Sequence, residues 1–216
     1  MKNKMLKGAH LSERKCREIV HLFCEDLTAT QIASITGVSR VTINAYVKMI
    51  RTRLALFCEE AFPSQHLPEN SITLTLCSDG LPKTAYYGFT RHDGQVFSTG
   101  LTSMSKDLVI NWQKQVNPEH PVAMQAIHAV ADFTNWRLYR RDTLNAYPMK
   151  TSNDDISGFW GLTRNRLMKF RGLNRNTLYL HIKECEFRFN YRHEDLQQKL
   201  LQLISKHPLH DMQYRA

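Results

Sequence analysis

The chain contains no Cys-x-x-Cys pair, no internal repeat and no low-complexity tract. No apolar run approaches the roughly 18–20 residues that cross a bilayer, so no membrane partner is expected. The five cysteines (Cys16, Cys24, Cys58, Cys77, Cys185) are odd in number and unpaired in spacing. That speaks against a disulfide framework and against a zinc ribbon. Three of them fall on apolar helical stretches, where free cysteine acts as a small hydrophobe. The N-terminal MKNKMLKGAH is charged but lacks the apolar region of a signal peptide, and reads as a basic arm. A reducing, cytoplasmic setting is the expectation. Acid is also missing where base is dense: between Arg164 and Arg175 stand Arg164, Arg166, Lys169, Arg171 and Arg175, with no Asp or Glu.

What is present is enough for a packed core. Of the 216 residues, 42% are hydrophobic and 10% aromatic, which argues against disorder. The length suits one sizeable domain and a smaller one. Net charge is +9 and the isoelectric point is near 9.4, which favours a polyanionic partner. The cations are clustered: residues 137–192 hold twelve against five acids, and residues 1–60 hold ten against six.

The first sixty residues read as three helices. Ser12 is placed to cap a helix over about 12–26. Thr28 or Thr30 opens a short one, TQIASITG, closed by Gly37. Ser39 caps a third, with Val41, Ile43, Tyr46, Val47, Ile50, Leu54 and Phe57 at helical spacing. A helix, a small Ala33 where helices cross, a glycine turn and a capped second helix together predict a helix-turn-helix. In that motif the start of the second helix enters the major groove. The candidate DNA-contacting residues are therefore Ser39, Arg40, Thr42, Asn44, Lys48 and Arg51. Arg40 can read guanine bidentately, Asn44 can read adenine, and Lys48 or Arg51 can hold phosphate. The plainer alternative is a three-helix bundle that contacts protein.

Pro63 and Pro68 break AFPSQHLPEN into a linker. The expected division is a helix-turn-helix domain over 1–62, a linker over 63–70 and a second domain over 71–216. Strands are expected at 71–77, 84–90 and 95–101, the last two joined by an Asp93-Gly94 hairpin turn. A helix over about 105–116 turns Leu108, Val109 and Trp112 inward. A fourth strand covers 122–130 and a short one lies near 143–149. Helices over about 154–170, 174–192 and 194–206 close the chain. This order suits an α/β (α+β) domain with a mixed sheet and flanking helices, as in the ribonuclease H fold.

Several runs resemble an insertion-sequence DDE transposase of the fifteen-ninety-five family, in the group that carries an N-terminal helix-turn-helix. They include Phe159-Trp160, Arg166-Leu167, Lys169-Phe170, Gly172, Tyr179-Leu180-His181, Lys183-Glu184-Cys185-Glu186 and Arg188-Phe189-Asn190. At the N-terminus they include Leu11-Ser12, Ala29-Thr30-Gln31-Ile32-Ala33, Thr36-Gly37 and Phe57-Cys58-Glu59. The resemblance is strong over about 10–60 and 156–209 and patchy over 70–150. It implies two aspartates and a glutamate holding two divalent metals. At the matching positions stand Thr75, Val130 and Ser157, none of which offers a carboxylate.

The resulting expectation is a transposase-derived DNA-binding protein without catalysis: a transcriptional regulator, nucleoid-associated, binding double-stranded DNA as a homodimer. No metal, cofactor or small-molecule substrate is expected. The five cations of 164–175 are candidate phosphate contacts. Competing expectations are an active nuclease built on the displaced acids Asp79, Asp132, Asp154 and Asp155, and a scaffold that modulates a transposase. Asp154 and Asp155 also suit the N-terminus of a helix, where negative charge is favoured. Phe159, Trp160, Tyr179, Phe187 and Phe189 are expected in the core, and His128 in a structural role.

Overall fold

The computed structural model describes residues 11–61, 84–114, 127–140, 154–169 and 175–209. Seven helices and four strands are formed among them: α1 (Glu13–Cys24), α2 (Ala29–Thr36), α3 (Arg40–Glu60), β1 (Tyr86–His92), β2 (Gln95–Gly100), α4 (Lys106–Gln113), β3 (Ala129–Asp132), β4 (Arg137–Arg140), α5 (Asp155–Met168), α6 (Arg175–Asn190) and α7 (Leu196–Lys206). No helix among the described residues is long and apolar enough to cross a membrane. The expected strands at 71–77 and 143–149, and the linker at 63–70, lie outside the described residues.

The chain divides into two compact units, Met1–Phe57 with Tyr191–Ala216, and Cys58–Asn190. This differs from the expected division at 62–70 in one respect above all. Helix α7, assigned from its sequence position to the second domain, packs instead against α1 in the first unit. His21 Nδ1 lies 2.8 Å from Gln197 Oε1 across that contact. Leu200 and Ile204 of α7 are fully buried, as are Ile19, Ile32, Ile43, Ile50 and Leu54. Periodicity revealed α7 as a helix, but its partner is set by tertiary packing, which periodicity does not encode.

Local chemistry explains the ends of these helices. Ser12 caps α1, its hydroxyl accepting from the Lys15 N–H. Thr28 and Gln31 form a reciprocal capping box on α2. Gly37 ends α2 at φ 68°, a left-handed conformation that favours glycine. Lys15 Nζ donates to the Thr36 carbonyl at 2.9 Å, satisfying an orphan acceptor at the α2 C-terminus.

In the second unit the sheet order is β2-β1-β3-β4, and every pair is antiparallel. A mixed sheet was expected; the described strands form none of its parallel pairs. Both sides of β1 are occupied, by β2 and β3. The hairpin turn falls at Asp93-Gly94, with φ 47° and 75°, as the sequence requires. The strand expected over 122–130 is β3, which begins at Ala129, and β4 forms in RLYR, where no strand was expected. Leu108, expected inward, is 46% exposed, whereas Val109 and Trp112 are fully buried.

Helix α6 runs through this unit with every residue from Leu178 to Phe187 buried. Phe159 of α5 packs edge-on against Phe89 of β1 and Phe189 of α6. Among these apolar groups α6 also buries Lys183, Glu184 and Glu186, which are at most 1% exposed. Lys183 Nζ lies 3.0 Å from Glu186 Oε2 and 3.2 Å from Glu59 Oε1. Burial alone would lower the Lys183 ammonium; Glu186 and Glu59 more than reverse this and hold it above its ordinary value. Burial raises the Glu186 carboxyl, opposed by Lys183 and by Ser98. Buried Arg166 and Glu184, with the partly buried Arg188, form a second ionic group.

Asn190 and Glu186 reach the outer side of β2. The Val96 N–H donates to Asn190 Oδ1 and the Val96 carbonyl accepts from Asn190 Nδ2, both at 2.9 Å. The Ser98 N–H donates to Glu186 Oε2 at 2.8 Å, and the Ser98 hydroxyl bonds the same oxygen. Lys183→Met would leave Glu186 and Glu59 without their cation. It should cost about 3–5 kcal/mol in urea unfolding. The double variant Lys183→Met/Glu186→Gln, which keeps an acceptor for Ser98, should recover a large part of that loss.

Candidate nucleic-acid interface

Helix α3 spans 21 residues, about 31 Å at the usual rise. Its buried side is Ile43, Tyr46, Val47, Ile50 and Leu54. Opposite them, Arg40, Val41, Asn44, Ala45 and Lys48 are exposed. Arg40, Asn44 and Lys48 are four residues apart, so their side chains rise from one face. A cation, an amide and a second cation thus follow one another over two turns. Arginine and asparagine there can each form paired hydrogen bonds to a base edge, and lysine suits a phosphate oxygen.

Ser39 and Thr42 are more committed to the protein than expected. The Thr42 N–H donates to Ser39 Oγ at 3.1 Å, and the two hydroxyls lie 2.9 Å apart. Ser39 is the cap that starts the helix. Arg51 is half-buried, its guanidinium 6.0 Å from the Phe23 ring centroid. Arg53, the next cation on the helix, is buried and donates to the Pro208 carbonyl at 3.2 Å.

The cations of 164–175 do not act as one set. Arg164 and Lys169 are exposed. Arg166 is only 6% exposed; it is bound to Glu184, and one of its guanidinium nitrogens lies 3.6 Å from Cys185 Sγ. Its expected phosphate contact is therefore corrected to an internal ion pair, because Glu184 on α6 needs a buried cation. Arg171 lies outside the described residues, and of Arg175 the structure describes only that it opens α6.

Of the three positions where the resemblance calls for acids, Thr75 lies outside the described residues. Val130 is fully buried in β3, opposite Gly88 and Tyr139. Ser157 is in the first turn of α5, where its hydroxyl meets Arg140 Nη2 at 2.9 Å. The displaced acids are held in local roles. Asp132 is fully buried and accepts from the N–H groups of Thr134 and Asn135, at 2.8 and 3.1 Å, shaping the β3–β4 turn. Asp154 caps α5 through the Ser157 N–H and takes both guanidinium nitrogens of Arg140. Asp155 lies 3.1 Å from Arg91. Asp79 lies outside the described residues. His128 is exposed, its Nδ1 accepting from the Arg91 N–H. Among the described residues no three His, Cys, Asp or Glu side chains gather as metal ligands would.

No family model, curated protein or solved structure matches the chain. The arrangement of its own side chains is what bears on function. Arg140 carried no site assignment from its sequence position, yet its placement is informative. A guanidinium stands between Asp154 and Ser157, the place where the resemblance would put a metal-binding acid.

Bonds from Arg140, reinforced by the Ser157 N–H, hold the Asp154 carboxyl at about 2, against an ordinary 3.8. A depressed carboxylate contributes stability above its unfolded value and loses it as pH falls through the folded one. Asp154→Asn keeps a capping side chain but loses the ion pair. With Arg140 partly solvated, it should cost about 1 kcal/mol at pH 7. The difference from the parent should close between about pH 4 and pH 2 in thermal or denaturant unfolding followed across pH.

Proposed function

We propose that the protein binds specific sequences of double-stranded DNA through α3 and acts as a transcriptional regulator, descended from a transposase framework whose catalytic acids are gone. The observation that carries this reading is the exposed stripe Arg40–Asn44–Lys48 on a helix fixed by its opposite, buried face. A reader of base edges needs side chains that are solvent-facing before binding and a backbone that does not rearrange to present them. Helix α3 offers both. With α2 and the glycine turn it serves as a helix-turn-helix, and homodimers on paired half-sites are the expected working form.

Catalytic silence is part of the proposal. It is supported by Val130 and Ser157 at acid positions and by the engagement of Asp132, Asp154 and Asp155 in turn, cap and ion pair. An Arg140 guanidinium against Ser157 also disfavours a divalent cation there. A nicking assay with magnesium or manganese tests this directly, and cleavage that Asp154→Ala abolishes would overturn it.

Selection from random duplex DNA by the full chain, without divalent metal, should enrich one motif. Arg40→Ala and Asn44→Ala should each weaken binding to it by about 5–100-fold and relax preference at one position. Lys48→Ala should weaken all sequences alike and lower the salt dependence by about one phosphate contact. Unchanged sequence preference in both Arg40→Ala and Asn44→Ala would sink the reading.

A further inference from the structure

Val41 shares the helical spacing of the apolar residues of α3, but it is 81% exposed. It is the second residue of α3, between Arg40 and the Asn44–Ala45 pair on the outward face. Ser39 and Thr42 tie down the backbone around it. A β-branched apolar side chain held rigidly in water gains nothing for the fold. The surroundings say what could cover it. From Leu27 to Cys58 the chain has no acid and four cations (Arg40, Lys48, Arg51, Arg53), of which Arg40 and Lys48 are exposed with Val41. An apolar protein partner would have to desolvate those cations beside a single valine. A DNA duplex pairs with the cations and has one apolar group in its major groove, the C5-methyl of thymine.

We infer that Val41 is a specificity-determining residue that packs on a thymine methyl in the major groove, next to the bases reached by Arg40 and Asn44. The inference rests on the DNA-binding reading above and names the base class that reading leaves open. Residues of the first turn of a reading helix reach base edges, so position 41 is placed for it.

Replacing thymine by uracil removes the C5-methyl alone and leaves every hydrogen-bonding group, so it isolates this contact. In the motif selected by the full-length protein, uracil at one thymine per half-site should weaken binding about three- to fivefold, the effect of burying one methyl group. Val41→Ala should weaken binding to thymine DNA by a similar factor and remove the difference between thymine and uracil at that position. Asn44→Ala should leave the thymine–uracil difference intact. An 81% exposed position tolerates alanine, and circular dichroism of the variant checks the fold. Uracil tolerated at every thymine would overturn the inference while leaving the DNA reading standing. A thymine–uracil difference that survives Val41→Ala would overturn it too. Enrichment of no motif would overturn the DNA reading and this inference with it. If uracil is tolerated and Val41→Asp lowers the mass measured by light scattering, Val41 belongs to a protein contact and the inference fails.

Discussion

A lysine ammonium at 1% exposure has no water to solvate it, so its partners must be supplied by the fold. In the second unit that demand falls on Lys183, and three elements answer it. Helix α6 supplies Glu186 one turn on, and the last turn of α3 supplies Glu59, which also accepts from the Tyr179 hydroxyl. Strand β2 contributes Ser98, whose N–H and hydroxyl bind the same Glu186 oxygen that Lys183 approaches. Apolar contacts of α6, such as Phe189 on Phe159, are non-directional. The ion network is directional. Turning α6 by one residue moves Lys183 through about 100° and strands two carboxylates. Charge therefore sets the rotation of the helix, and hydrophobic burial supplies the bulk of the stabilisation.

The first unit solves a different problem. It holds a long helix with one face committed to the core and the other kept free. Ile43, Tyr46, Val47, Ile50 and Leu54 bury the inner face, and Ile19, Val20, Phe23 and Ile32 of α1 and α2 are buried in the same unit. Caps at Ser12, Thr28 and Ser39, the left-handed Gly37 and the Lys15 bond to Thr36 fix the helix ends. None of these devices uses the outer face of α3. Arg40, Asn44 and Lys48 are left unencumbered by folding duties, whereas Arg51 and Arg53 are drawn into packing. The boundary between those two groups of cations marks where the exposed stripe stops.

Much of this was legible from sequence because it depends on near neighbours. A cap needs only the residue and the amides two or three positions on, so Ser12 and Ser39 could be read directly, and the choices between Thr28 and Thr30 and between Asp154 and Asp155 fall to Thr28 and Asp154. The Asp93-Gly94 turn was likewise legible, since both residues adopt the positive φ that the turn demands. What escaped depends on which surface a face meets. Val41 and Leu108 fit helical spacing as well as their buried neighbours do, and spacing cannot say where an apolar stripe ends. Arg166 stood in a basic run that looked like a phosphate ligand, yet its partner Glu184 is eighteen residues away on another helix. Strand β4 is short and polar, and it forms because β3 offers it an edge. The i,i+3 spacing of Lys183 and Glu186 within an apolar helix was a usable signal for the buried network, since charges there must be paired.

The side chains of Asn190 and Glu186 carry a further consequence for the sheet. The outer margin of β2 would otherwise present a free amide and carbonyl at Val96 and a free amide at Ser98. Such a row is a template onto which a foreign strand can add. The Asn190 carboxamide has the same donor and acceptor as a peptide group, and it meets Val96 with both. Helix α6 thus imitates one step of a neighbouring strand without being one. It occupies that margin at Val96 and at the Ser98 amide, so these groups are not offered to a second chain and the edge is a poorer template there.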